Sequence, residues 1–461
     1  MKYKLTLTFK DFLIYAVLFV ITVNMALYKA SGILYTLVFF GILFYQFTSL
    51  KNSILIFLFF LIFHDISKNI MLNGIEAIRI GRLAFVPFLV QIHNKVSVRN
   101  IFYRNFKLFK LIIFSTVIIF IFSQFLAFVH FKTYTFINIL GYFFDAFSIF
   151  AFIYLVFSKL EVNEIKLLFY FVLFLIFLQS LELIYLAIKY PDLLYINTEN
   201  FESNYHTKLL LWRNPLFGHK NYWGTVAAYF FVVSLFLFIN SKISKYVTFP
   251  LIIVNLITVT ISLSRRAYAY AFLGVLFIAL LRRNFKFIYI FVGLSVMIYL
   301  FQPDFVMNRI TPLIKAQSFI ELQRVSSGHL SESALQFIER SFSIIPYGYT
   351  SSNFEYNYTE AYIVSVLYSQ GIIGAIFLLI VILLLVKRSY FLYVYGNDKV
   401  FHGLFVISTL LLLPTIFSTS VYYFISTKGI VNIFSFVLLF TYMFSELLYS
   451  HSKEEKLFNG D

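Results

Sequence analysis

Arginines set beside apolar stretches are the residues of this chain with the clearest capacity for chemistry. Arg213 lies in Trp212-Arg213-Asn214-Pro215-Leu216-Phe217-Gly218-His219-Lys220-Asn221. Arg265 and Arg266 follow Ser262-Leu263-Ser264, and Arg324 lies in a long polar run between residues 302 and 360. A guanidinium keeps its charge at ordinary pH and presents a planar fork of donors that fits a phosphate or a carboxylate. Arg265 and Arg266 stand between two apolar stretches with almost no loop, so at least one of them is held near a bilayer surface. Together the three positions suit a pocket for an anionic, lipid-attached head group. Each also has a plainer reading as a solubilising, snorkelling or ion-paired side chain. Glu360 follows Tyr356-Asn357-Tyr358-Thr359 and opens an apolar stretch. A carboxylate there is either a favourable first-turn charge on a helix dipole or an acid at the pocket mouth that orients or deprotonates an attacking hydroxyl. His219, beside Lys220, is open to the same two kinds of reading.

The scaffold that must hold these residues is apolar. Of 461 residues, 61% are hydrophobic and 13% charged, with a mean hydropathy of +0.85. Soluble domains carry roughly 25% charged residues, so the composition predicts a polytopic integral membrane protein. Its apolar runs are continuous, without the alternating ~10-residue segments of a membrane barrel, and an all-α bundle satisfies the backbone in lipid. The absence of cysteine excludes disulfides, thiol catalysis and cysteine metal sites. A net charge of +16 collects in short connectors, which argues against a nucleic-acid partner. The first apolar segment is long for a signal-peptide core and lacks a small-residue cleavage pattern, so it reads as a retained span.

Spans of about 20 apolar residues are expected at 11–28, 33–47, 54–66, 74–92, 111–129, 136–157 and 167–188. Seven more follow at 221–238, 247–262, 267–281, 287–301, 361–386, 400–417 and 430–448, giving about fourteen in all. Basic residues orient them. Lys2, Lys4 and Lys10, the connector 95–110, Lys242 with Lys245, Arg282 with Arg283 and Lys286, and Lys387 with Arg388 all fall on one side. That side is the cytoplasm, and both termini lie there. Residues 189–220, Arg265–Arg266 and one large extracytoplasmic loop between helices 11 and 12 then face outward. Three divisions follow: N-terminal spans over 1–188, a core with its two outer loops over 189–386, and C-terminal spans with a cytoplasmic tail over 387–461. Within the large loop, Ala334, Leu335, Ile338, Phe342 and Ile345 recur at helical spacing, with Glu332, Glu339 and Arg340 between them. That pattern predicts an interfacial amphipathic helix over 331–345.

Other chemical motifs are absent: no Walker loop, no zinc-protease His pair, no nucleophile elbow and no Asp-x-Asp pair for a sugar-nucleotide metal. Any transfer reaction would use a donor activated elsewhere, without a cofactor or metal.

At these residues the chain resembles the O-antigen polymerase and ligase superfamily, which includes Wzy-type polymerases. Arg213, Phe217, Gly218 and Asn221 open a span, and Ser264-Arg265 closes a later one. The long loop then carries Arg324, Ser326, Ser327 and Gly328 and a Pro346-x-Gly348 turn. A span with Tyr362 and Gln370-Gly371-Ile372-Ile373-Gly374 follows, so the likeness covers roughly residues 213–385. The resemblance implies glycosyl transfer at the outer face of the bacterial cytoplasmic membrane, on oligosaccharides linked to undecaprenyl pyrophosphate. It implies that Arg265, Arg324 and Glu360 are catalytic and that Arg213, His219, Asn221 and Arg340 bind substrate; Arg266, a further substrate-binding candidate, stands where the family usually has a small residue. A chain-length regulator is a further candidate partner, beside the lipid bilayer. Ligases of the superfamily carry a histidine near the end of the large loop. This chain has Thr359-Glu360 there, which favours a polymerase over a ligase. A flippase would work through charges within the bundle, where this chain has few, such as Asp145 and Glu182. A structural membrane protein is the plainest alternative.

Overall fold

The computed structural model describes residues 5–27, 32–63, 71–72, 75–76, 84–95, 106–131, 136–189, 213–214, 218–240, 245–262, 264–284, 362–415 and 433–459, with a few positions between 286 and 315. The helices are α1 (Phe9–Leu27), α2 (Gly32–Gln46), α3 (Leu50–Ile62), α4 (Phe85–Lys95), α5 (Lys107–Phe131), α6 (Phe136–Lys159) and α7 (Val162–Lys189). They continue as α8 (Lys220–Asn240), α9 (Lys245–Ser262), α10 (Arg265–Arg282), α11 (Tyr362–Tyr395), α12 (Lys399–Thr415) and α13 (Ile433–Asn459). Two short antiparallel ribbons interrupt them, β1 (Met71–Leu72) with β2 (Ile75–Glu76) and β3 (Arg213–Asn214) with β4 (Gly218–His219). Among the described residues, four helical stretches are long and apolar enough to cross a membrane: Val162–Lys189, Trp223–Asn240, Lys245–Ser262 and Gln370–Tyr395. The chain divides into two compact units, Met1–Asn105 with Ser148–Ala267, and Phe106–Phe147 with Tyr268–Asp461.

At one end of the first unit, side chains of early and late elements tie into a single polar layer. Asp11 accepts from the Thr8 amide at 2.7 Å and the Thr8 hydroxyl at 2.9 Å, and it pairs with Lys51 at 2.7 Å. This closes a capping arrangement at the start of α1 and binds it to the start of α3. Glu164, buried in the first turn of α7, accepts from the amides of Glu161 and Leu5. Lys159 ends α6 and donates to Ile92 O at 2.9 Å. Gln46 Nε2 donates to Ser53 O at 3.0 Å and to Ala84 O at 2.6 Å. Aromatic packing fills the layer beneath: Phe57 of α3 stacks on Phe152 of α6 at 4.6 Å, and Phe88 of α4 meets the same ring at 4.8 Å.

The expected span 74–92 is corrected by this geometry. Residues Ile75–Glu76 pair as a strand, and the helix begins only at Phe85. Both ends of α4 sit on the α2–α3 corner, because Gln46 reaches Ala84 O while Gln91 Nε2 reaches Phe47 O at 2.6 Å. Its 11 residues rise about 16 Å, roughly half the hydrocarbon thickness of about 30 Å. Glu76, Arg79 and Arg82 explain why: three charges within one span are costly in lipid. The expected span 287–301 lies largely outside the described residues. The other expected spans each overlap a helix, but α11 and α13 run on to Tyr395 and Asn459, well past the expected ends at 386 and 448.

In the second unit, α11 contains a break. Gly371 has φ 70° and ψ −174°, outside helical geometry, with helix on both sides. Farther along, Arg388 of α11 holds Glu446 of α13 in a two-pronged ion pair, Nε to Oε1 at 2.6 Å and Nη2 to Oε2 at 2.7 Å. Its guanidinium also lies over the Phe391 ring at 4.9 Å. Where α11 ends, Gly396 leaves the room into which the His402 ring packs.

Candidate functional site

The site is built from the backbone of a short ribbon and the corner between two helices. In the β3–β4 ribbon, Arg213 lies opposite His219 and Asn214 opposite Gly218. Pro215 and Gly218 are residue types that favour turns. The chain passes from His219 directly into α8 at Lys220, so Arg213, His219 and Asn221 are delivered together to the first turn of that helix.

That first turn is seated on the α9–α10 corner. A side chain at Gly224 would place its Cβ 2.5 Å from Ser262 Cβ, 2.6 Å from Ser262 Oγ and 3.3 Å from Ala267 Cβ. The helices meet there without room for a methyl group. The corner itself is a pair of buried serines. Ser262 Oγ donates to Val259 O at 2.6 Å, closing α9, and accepts from Ser264 N at 3.2 Å. Ser264 Oγ accepts from Ala267 N at 3.4 Å and so acts as the N-cap of α10. The next two residues are Arg265 and Arg266, and the first turn of α10 has no acidic residue.

Electrostatically this turn suits an anion. The N-terminus of a helix carries roughly half a positive charge and several amides without intrahelical partners. Two arginines add to that charge, where helix stability would favour carboxylates. A bound phosphate or carboxylate reverses the conflict, because amides, dipole and guanidinium then act together. The corner is also rigid. Ser180 of α7 donates to Asn255 Oδ1 of α9 at 3.0 Å, Thr258 donates to Ser180 O at 3.4 Å, and Asn255 and Thr258 are fully buried.

Of the expected site residues, Arg213, His219, Asn221, Arg265 and Arg266 lie on elements that meet within the first unit. Arg324, Arg340 and Glu360 lie outside the described residues, as do the large loop and its expected helix over 331–345. Gly224 and Trp223 are not among those expected residues, and Ser262 is there only as a neighbour of the arginine pair. Trp223 is 1% exposed, and its indole Nε1 has no hydrogen-bond partner among the described residues. Its place two residues after Asn221 was the one signal for it. Among the described residues no group of three or more His, Asp or Glu side chains is arranged to hold a metal ion.

No family model, curated protein or solved structure matches the chain. The fold and its apolar helices define the class directly: a helical membrane protein. Its polar corner, with two arginines at a helix start, is the feature on which a proposed function rests.

Proposed function

We propose that the protein polymerises oligosaccharide repeat units linked to undecaprenyl pyrophosphate, building an O-antigen, capsular or exopolysaccharide at the outer face of the bacterial cytoplasmic membrane. The observation that supports this reading is the seating of α8 on the α9–α10 corner, which brings the Arg213–Asn221 segment to a helix start carrying Arg265 and Arg266. A pyrophosphate needs just such a set of donors. In the reaction, a hydroxyl of the acceptor repeat attacks the anomeric carbon of the donor chain. The bond from that carbon to the pyrophosphate oxygen breaks, and the lipid pyrophosphate leaves with the electron pair. Arg265, Arg324 and the amides of α10 stabilise its growing charge, while Arg213, Arg266, His219, Asn221 and Arg340 hold the substrate. Glu360 takes the hydroxyl proton. The clustering of basic connectors on one side supports an orientation with both termini inside and this chemistry at the outer leaflet.

Arg213→Ala, Arg265→Ala and Arg324→Ala are each expected to abolish long-chain polysaccharide while the protein remains in the membrane. Gel analysis of surface polysaccharide, with immunoblotting of membranes, checks this. Wild-type chain length in all three variants sinks the site. In a deletion strain, single repeats on the carrier or surface lipid fit a polymerase, and full-length chains stranded on the carrier fit a ligase. Single repeats trapped on the cytoplasmic leaflet fit a flippase.

A further inference from the structure

We infer that Gly224 is a positioning residue for anion binding, because its missing side chain lets the first turn of α8 seat on the Ser262–Ala267 corner. This rests on the reading that the arginines flanking that seat hold a pyrophosphate. The seat sets the distance between two halves of the site. One half, Arg213, His219 and Asn221, travels with α8; the other, Arg265 and Arg266, travels with α10.

Carbon atoms in contact normally lie about 3.5–4.0 Å apart, and a methyl at Gly224 would lie 2.5 Å from Ser262 Cβ. Something must yield by about an ångström. Ser262 resists, since its hydroxyl is engaged with Val259 O and Ser264 N. The helix behind it resists as well, pinned to α7 through Ser180, Asn255 and Thr258. The displacement therefore falls on α8 or on the Ser264 link into α10, and either moves one half of the site against the other. A misplacement of about 1 Å can cost about a hundredfold in a positioned reaction. Helix propensity acts in the opposite direction, because alanine is the better helix former by up to about a kcal/mol. A loss of binding in Gly224→Ala thus reports on the seat and not on a weakened helix.

The test uses the full-length protein in detergent, with farnesyl pyrophosphate as probe and farnesyl phosphate as the comparison. Binding and thermal unfolding are measured for wild type, Gly224→Ala, Ser262→Gly and the double variant. Gly41→Ala, at a glycine with nothing within 4 Å of its would-be Cβ, is the control. Gly224→Ala is expected to weaken binding of the pyrophosphate at least about tenfold. The double variant, in which the obstructing side chain is gone, is expected to bind at least about threefold tighter than Gly224→Ala, a coupling that independent sites do not show. If Gly224→Ala fails to accumulate, the double variant is expected to accumulate and bind. Wild-type binding by Gly224→Ala, or no recovery in the double variant, overturns the positioning role alone. Failure of the wild type to prefer pyrophosphate overturns the pyrophosphate reading, and this inference with it.

Discussion

Ser264 joins the two properties of the corner that matter most, its tight turn and its charge. Its hydroxyl caps α10 and its amide is held by Ser262, so the backbone that carries Arg265 and Arg266 is fixed at the start of the helix. Replacing an N-cap serine by alanine costs about 0.5–2 kcal/mol. The 3.4 Å contact to Ala267 N is long, so Ser264→Ala is expected at the lower end of that range. Equilibrium unfolding in mixed detergent checks it, and a loss well above about 2 kcal/mol would mean that Ser264 does more than cap. Residues of this kind differ in how far the sequence reveals them. Arg265 and Arg266 were legible, because paired cations with no loop around them are conspicuous in an apolar chain. Gly224 was not legible, since a close approach depends on which helix arrives opposite, and no local pattern encodes that. Trp223 was equally silent: a tryptophan near a membrane surface reads as an interfacial anchor until its buried, unpartnered donor is seen.

Elements were legible where composition alone decides and illegible where pairing decides. Long runs such as α7 and α9 need no tertiary information, because an apolar segment in lipid must close its own backbone hydrogen bonds. The ribbons β1–β2 and β3–β4 close theirs with a partner strand, so summed hydropathy over 74–92 misread β2 and the approach to α4 as a span. The break in α11 is a third case. The Gln370-Gly371-Ile372-Ile373-Gly374 run stood out in the sequence without revealing that Gly371 adopts φ 70° and ψ −174°. Almost only glycine occupies that region, and a side chain there costs about 1–3 kcal/mol. Gly371→Ala is therefore expected to destabilise the protein by that amount, read as a lower midpoint in thermal unfolding. Gly41→Ala, in α2 with open space around it, is expected to be neutral or stabilising. Equal behaviour of the two variants would mean that the break is not locked by Gly371.

At the scale of the first unit, polar contacts occur at two levels along α7, and the proposed orientation assigns a side of the membrane to each. Glu164 begins α7 and belongs to the layer with Leu5, Asp11, Lys51 and Lys159. Ser180, farther along α7, contacts Asn255 and Thr258, and Ser262 lies one turn beyond Thr258. Along α7 itself, Ser180 lies about 24 Å from Glu164 at 1.5 Å per residue. That is most of the roughly 30 Å thickness of the hydrocarbon core. The proposed orientation puts the arginine corner and the N-terminal layer on opposite sides, following the distribution of basic connectors. The cysteine-free chain makes this directly testable. Thr48→Cys, exposed in the turn between α2 and α3, is expected to react with a membrane-impermeant maleimide only after spheroplasts are permeabilised. Asn214→Cys, in the β3–β4 ribbon, is expected to react in intact spheroplasts. Labelling of both from the same side would break the link between the ends of α7 and the faces of the membrane. It would also remove the outer-leaflet placement on which transfer from a lipid-linked donor depends.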